Sequence, residues 1–346
     1  MNYHSILVIN VSRIGDTLLA TPALRAIAHA FPEASIDVMG HPKRIEVINH
    51  LPFVNRTLPI TKKSAPWGGH LSRLLGKRYE LAFVYGFDQP LIAYALRVAN
   101  HVVAYKQADE RLNARLFKAV DPPPFQADHA VKLALTLPSA LGVAPAGFRL
   151  AYVVTAAERQ WATQRLGRDI PPLSRPLIGL QIASFPTRAY RDWPVDNFIK
   201  LCQKLQSTHP HVHFLIFGGS EEQRRTAHVK EVLGSAATSY AGQLSLRETA
   251  ALMENLDLYI GVDTGPTHLM ATFDIPLVGL YHSHSKHADT GPLEHPCDFS
   301  IDHPKPKSRN SAEDSMADIS VETVYANAIA GLKRHDCGDK ANRLET

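Results

Sequence analysis

The sequence predicts an α/β protein made of two doubly wound domains, each a parallel sheet with crossover helices. Three observations predict it. Short apolar, β-branched runs alternate with segments of helical periodicity along the chain. Its 346 residues are more than one hydrophobic core usually serves. The run Asp169-Ile170-Pro171-Pro172-Leu173-Ser174-Arg175-Pro176 has the composition of a linker between the halves. The expected division is therefore 1–168, 169–320, and a C-terminal helix with a frayed polar tail over 321–346.

In the first half, strands are expected at 6–10, 36–39, 81–85 and 101–105, each a buried-type apolar run. Helices are expected at 16–30, 43–50, 91–99 and 127–141, the last closed by Gly142. Pro22 should end or kink the first helix unless it falls in a first turn. The second half repeats the pattern, with strands at 177–182, 212–217, 258–262 and 276–280 and helices at 195–207 and 221–233. Ser245-Leu246-Arg247-Glu248 matches a capping box and opens a helix to 255. Thr155-Ala156-Ala157-Glu158 can start another helix, and a last one is expected over 321–332.

Composition narrows the function classes. Hydrophobic residues make up 45% and charged residues 20%, which is too apolar for a disordered chain. The net charge of +4 suits anionic substrates or an anionic membrane surface. No aromatic RNA-binding pattern, zinc-finger spacing or long basic arm points to nucleic acid. Cys202, Cys297 and Cys337 are odd in number and far apart, as expected for thiols of a reducing compartment. The N-terminus lacks a basic leader, and no apolar run reaches about 18 residues, so a cytoplasmic location is expected. Lys62-Lys63 and the basic stretch 73–78 read either as a solvated face or as a patch for a lipid surface.

In open parallel sheets ligands bind beyond the carboxyl ends of strands, and three strand ends carry chemistry. After the first strand comes Ser12-Arg13-Ile14-Gly15-Asp16-Thr17, whose single glycine does not make a dinucleotide fingerprint. Asp16 reads either as a helix N-cap or as a general base. The second is Ser184-Phe185-Pro186-Thr187-Arg188-Ala189-Tyr190-Arg191-Asp192-Trp193-Pro194. It is either a solvated loop over a buried Trp193 or a seat where Ser184, Thr187, Arg188 and Arg191 meet a diphosphate. The third is Asp263-Thr264-Gly265-Pro266-Thr267-His268, a turn that lets backbone approach an anion closely. A capped turn explains Asp263 and Gly265 but has no use for His268.

Taken in order, these segments resemble the lipopolysaccharide heptosyltransferases, glycosyltransferase family 9, over nearly the whole chain. The resemblance rests on Gly15-Asp16 with Thr21-Pro22-Ala23-Leu24, Arg191-Asp192-Trp193-Pro194, and Gly218-Gly219-Ser220-Glu221-Glu222. It continues through Gly242-Gln243-Leu244-Ser245-Leu246, Asp263 to His268, and Pro276 to Tyr281. It implies a GT-B architecture, with acceptor bound by the first domain and nucleotide-sugar by the second. The reaction implied is inverting transfer of heptose from ADP-heptose to the inner core of lipopolysaccharide, with no cofactor or metal. The acceptor would be a lipid-linked saccharide, with peripheral contact to the inner membrane.

Under that resemblance, Asp16 takes the acceptor proton, and Arg13, Gly15 and Thr17 lie on the acceptor side. Arg191, Ser184, Thr187, Arg188 and the amides at Thr264 and Gly265, ahead of Pro266, hold the diphosphate. Asp263 and His268 position the sugar, Glu221 or Glu222 meets the ribose, and Leu244 lies beside adenine. No Asp-x-Asp triplet, which a GT-A enzyme needs for its metal, occurs. Two departures stand out. Arg191 replaces the family's usual lysine. The loop His282-Ser283-His284-Ser285-Lys286-His287 replaces a Gly-Pro-Thr-like run and reads either as a polar loop or as a metal site. The rival readings are the same fold with another nucleotide-sugar or acceptor, and a nucleotide-binding protein without transferase activity.

Overall fold

The apolar runs fold as central strands of two all-parallel sheets in a computed structural model that describes residues 2–66, 78–124 and 126–342. The chain divides into two compact units, Met1–Val153 and Val154–Thr346.

The first unit holds β1 (Ser5–Asn10), β2 (Ser35–Gly40), β3 (Arg56–Pro59), β4 (Tyr79–Val84), β5 (Ala99–Tyr105) and β6 (Lys118–Val120). Their order is β3-β2-β1-β4-β5-β6, with Ile6 opposite both Ile36 and Leu81. Chain direction across the sheet reverses between β1 and β4, the switch point where doubly wound sheets bind ligands. The expected helix at 16–30 is two helices, α1 (Ile14–Leu19) and α2 (Thr21–Ala30), and Pro22 lies in the first turn of α2. There proline has no intrahelical hydrogen bond to lose, which is why the chain breaks at Ala20 and not later. Further on lie α3 (Gln89–Val98), the single turn α4 (Glu110–Asn113) and α5 (Ala130–Ser139). The expected helix at 43–50 is one 3-10 turn, Ile45–Ile48. Of the basic stretch 73–78, only Arg78 lies within the described residues.

The second unit repeats this wiring with β7 (Leu177–Gln181), β8 (His213–Phe217), β9 (Ala237–Ser239), β10 (Leu258–Val262), β11 (Leu277–Tyr281) and β12 (Ile301–Asp302). Their order is β12-β11-β10-β7-β8-β9, so its switch point lies between β7 and β10. The helices are α6 (Ala156–Asp169), α7 (Val195–Thr208), α8 (Gln223–Leu233), α9 (Leu246–Met253), α10 (Gly265–Met270), α11 (His287–Thr290) and α12 (Val321–Asn342). Ile178, Leu180, Ile260, Val262, Val278 and Leu280 make one buried face of the sheet, covered by Phe198 and Leu201 of α7 and Val324, Ala328 and Leu332 of α12. Trp193 is fully buried beside them and donates its indole N–H to Ile319 O at 2.9 Å.

The division falls ahead of the proline run, and α6 shows why. Thr155 and Glu158 start the helix, as expected, and close a capping box. Glu158 also accepts both arms of the Arg247 guanidinium, at 2.7 Å each, while Arg159 grips Glu254 at 2.7 and 2.8 Å. These pairs fasten α6 to α9, so Ile170 to Pro176 is a loop inside the second unit.

Candidate functional site

At the carboxyl end of β1 the chain turns into α1 with Arg13 at the N-cap and no side-chain cap. Asp16 is therefore the third helical residue and not the cap. Its carboxylate is exposed, in the first turn, where the free amides favour negative charge. Arg13 is exposed as well, whereas Gly15 and Thr17 are buried. The Thr17 hydroxyl donates to Arg13 O at 2.8 Å and lies 3.1 Å from Ser12 Oγ. Thr17 thus shapes the turn that presents Asp16.

At the second switch point, the loop after β7 and the turn after β10 come together. Arg191 donates from Nη1 to Asp263 Oδ2 at 2.8 Å and from Nε to Tyr190 Oη at 3.3 Å. The Tyr190 ring lies 5.6 Å from the guanidinium carbon and meets His282 edge-on at 5.1 Å. Asp263 is nearly inaccessible. Ser285 Oγ donates to its Oδ2 at 3.1 Å, and His268 Nε2 stands 3.5 Å from Oδ1. The family resemblance implies that Asp263 positions the sugar; in the fold its oxygens face Arg191, Ser285 and His268. The turn itself is stapled by Thr264 and Thr267, whose hydroxyls both donate to Val262 O. Intrahelical bonds of α10 begin at Thr267 and His268, so the amides of Thr264 and Gly265 precede them, with Pro266 in the first turn.

The rest of the loop is organised by Asp192. Its Oδ1 accepts from Ser184 N at 2.7 Å and Ser184 Oγ at 2.6 Å, and its Oδ2 accepts from Arg225 Nη1. Burial raises the Asp192 carboxyl above its ordinary range despite these donors. Ser184 Oγ lies 2.8 Å from Arg188 O as well, so this hydroxyl is turned into the loop. Thr187 is exposed and Arg188 half-buried on the 3-10 segment Pro186–Arg191.

Farther along the edge, Glu222 is buried and accepts from Gly219 N at 2.5 Å, whereas Glu221 is exposed. Of the two carboxylates considered for a ribose, Glu222 is thus committed to capping and Glu221 faces solvent. Leu244 is half-buried after Gly242, whose φ of +69 and close approach to Ser220 Cα leave no room for a side chain.

The histidines of the 282–287 loop separate. His282 is buried, accepts from His284 N at Nδ1 and lies 2.9 Å from Asp314 O through Nε2. Burial lowers its pKa and keeps it neutral. His287 Nε2 instead pairs with Asp298 at 2.6 Å, which raises its pKa. No group of three His, Cys, Asp or Glu with metal-binding geometry occurs among the described residues. Sequence reasoning missed Tyr190, Asp192, Arg225 and Ser285. Asp192 was visible beside Arg191; Arg225 and Ser285 carried no signal.

Residues 91–319 match the model of glycosyltransferase family 9 (heptosyltransferase). The chain is 24% identical to lipopolysaccharide heptosyltransferase 3 of Escherichia coli over 280 residues, covering 77% of this chain and 80% of that relative. The family 9 glycosyltransferase structure from Veillonella parvula superposes with a TM-score of 0.84 at 20% identity, covering 96% of this chain and 98% of that one. The E. coli ADP-heptose lps heptosyltransferase II structure gives 0.79 at 20% identity, covering 96% and 99%. With two Rossmann-type sheets and a family match across most of its length, the chain belongs to glycosyltransferase family 9, the heptosyltransferases, and is a glycosyltransferase.

Proposed function

We propose that the protein transfers a heptose from ADP-heptose to the inner core of lipopolysaccharide, inverting the anomeric centre without a metal. The observation that carries this reading is the Arg191–Asp263 pair at the second switch point. Asp263 holds Nη1 of the guanidinium and Tyr190 holds Nε, which leaves Nη2 for the diphosphate alongside the amides of Thr264 and Gly265. Donor and acceptor identity are supported by the relatives, lipopolysaccharide heptosyltransferase 3 and ADP-heptose lps heptosyltransferase II of Escherichia coli.

In this mechanism Asp16 accepts the proton of the acceptor hydroxyl as its oxygen bonds to the anomeric carbon. The carbon–oxygen bond to the diphosphate breaks on the opposite face, and ADP leaves with the electron pair. Arg191 and the two amides meet the charge that develops there. General-base help of this kind contributes about 10²–10⁴-fold. Asp263 anchors Arg191, and His268 supports Asp263 from the other oxygen. Glu221 is the better candidate for the ribose, because Glu222 is spent on Gly219, and Leu244 is the candidate for adenine. Arg13, Gly15 and Thr17 form the acceptor-side turn. Contact with a lipid-linked acceptor is proposed to be peripheral; among the described residues no helix is long and apolar enough to cross a membrane. Exposed Lys63, and Lys62 that pairs with Asp88 at 2.6 Å, are basic residues that could serve it.

The test is transfer from ADP-heptose to a truncated lipopolysaccharide core, with the product's anomeric configuration read by NMR. Retention of configuration would end the inverting mechanism. Activity lost to EDTA and restored by a divalent ion would end the metal-free one. Turnover with a different nucleotide-sugar alone would replace the donor.

A further inference from the structure

Two ion pairs leave neighbouring residues in different directions. Arg191 reaches Asp263, and Asp192 reaches Arg225 on the first turn of α8. Between them, Asp192 and Arg225 bind every polar atom of Ser184. The carboxylate takes its amide and hydroxyl, and Arg225 Nη2 donates to its carbonyl at 3.0 Å. Ser184 is where the chain leaves β7, and Asp192 is where the 3-10 segment Pro186–Arg191 ends. A single carboxylate therefore closes the loop at both ends, and Arg225 fixes that carboxylate to a helix.

We propose that Arg225, acting through Asp192, is a positioning residue that holds the Arg191 fork where it can meet the donor diphosphate; this rests on the donor reading given above. The chemistry favours arginine at 225. The two contacts use separate nitrogens of one planar fork, Nη1 on the Asp192 carboxylate and Nη2 on the Ser184 carbonyl. A lysine ammonium can reach one of them while the other acceptor is left short. The Asp192 carboxylate is mostly buried, so its remaining donors cannot be replaced by bulk water at little cost. Without Arg225 the loop keeps its Ser184 contacts but loses its tie to α8. Arg191 then samples a wider set of positions, and misplacement of a binding group by about 1 Å can cost up to 10²-fold.

The experiment compares ADP with adenosine by calorimetry, because their affinity ratio isolates the diphosphate. The proteins are wild type, Arg225→Gln, Arg225→Lys, Asp192→Asn, the Asp192→Asn/Arg225→Gln double variant and Arg191→Met, with thermal unfolding of each. The expected result is a ratio reduced about tenfold in Arg225→Gln and in Asp192→Asn, with adenosine affinity unchanged. The double variant should fall no further than either single one, and Arg225→Lys should recover part of the ratio. A wild-type ratio in Arg225→Gln, with Arg191→Met impaired, overturns the positioning role and leaves the donor reading standing. A wild-type ratio in Arg191→Met overturns the donor reading and the positioning role with it. Equal losses of ADP and adenosine affinity together with a lowered melting temperature mean that Arg225 serves the fold alone.

Discussion

Replacing Arg191 by Met separates what its charge does for the fold from what it does for the ligand. Asp263 would keep Ser285 and His268 as partners but lose the guanidinium that balances its buried charge. Removing one partner of a buried pair costs 3–5 kcal/mol, and the remaining donors put this case at about 3. For a unit the size of Val154–Thr346 that lowers Tm by roughly 6–12 °C. The lost phosphate contact is a charge-assisted hydrogen bond of about 1.5–3 kcal/mol, or roughly 10- to 150-fold in ADP affinity. Asp263→Asn added to Arg191→Met removes the unbalanced charge. The double variant should therefore regain most of the lost stability, and of the lost affinity only the part that Asp263 repulsion takes. Calorimetric unfolding and ADP titration of the two proteins read both quantities. If the double variant binds ADP as tightly as wild type, Asp263 repulsion governs binding and Arg191 is not the diphosphate ligand.

Asp16→Asn should lower kcat by about 10²–10⁴-fold with ADP affinity unchanged, and unaltered turnover would remove the base role. Glu158→Gln should cost stability at neutral pH and flatten the acid limb of unfolding. Burial alone would raise this carboxyl, but the Arg247 fork and the Thr155 amide outweigh it and hold it at about 2. A depressed carboxyl stabilises above its unfolded value near 4.5 and loses that contribution as pH falls towards 2. The mutant difference, at most about 3 kcal/mol for such a shift, should thus close over that window in urea titrations. Gly242→Ala should destabilise by about 1–2 kcal/mol from φ alone, since residue 242 sits at +69. A Tm unchanged in that variant would mean the turn relaxes away from Ser220.

The sequence makes the central strands legible because a strand buried on both faces writes itself as a continuous apolar run. β10, expected at 258–262, lies at Leu258–Val262. The edge strands β3, β6, β9 and β12 were not seen, since Arg56–Pro59 and Lys118–Val120 are short, half-exposed and carry polar residues. The place of the domain boundary was misjudged because a proline run looks like a linker whatever holds it. What places α6 in the second unit is the pairing of Glu158 with Arg247 and of Arg159 with Glu254, contacts with no local signature. The same limit applies at the candidate site. Asp16, Arg191 and Asp263 stand out because they follow strands, and parallel sheets collect ligand groups at that edge. Tyr190 and Ser285 act by touching Arg191 and Asp263, and Arg225 acts by touching Asp192 and Ser184, so these roles are recognisable only once the loop is folded.

Asp263 poses a physical problem for any anion seat, and its solution bears on how the donor would be held. A carboxylate close to a bound phosphate opposes binding. An arginine on a free loop avoids that cost but must give up about 2 kcal/mol of rotamer entropy when it engages. Here the guanidinium is immobilised before any ligand arrives, by Asp263 at one nitrogen and Tyr190 at another. The entropy has been lost in folding, and the repulsion remains. Absolute affinity for ADP should therefore be lower than an unanchored arginine could give, while the geometry of the fork is fixed. For a transferase that balance favours turnover. Tight binding of ADP equally before and after transfer would slow product release without lowering the barrier, whereas a donor fixed in place is stabilised as the leaving group's charge develops.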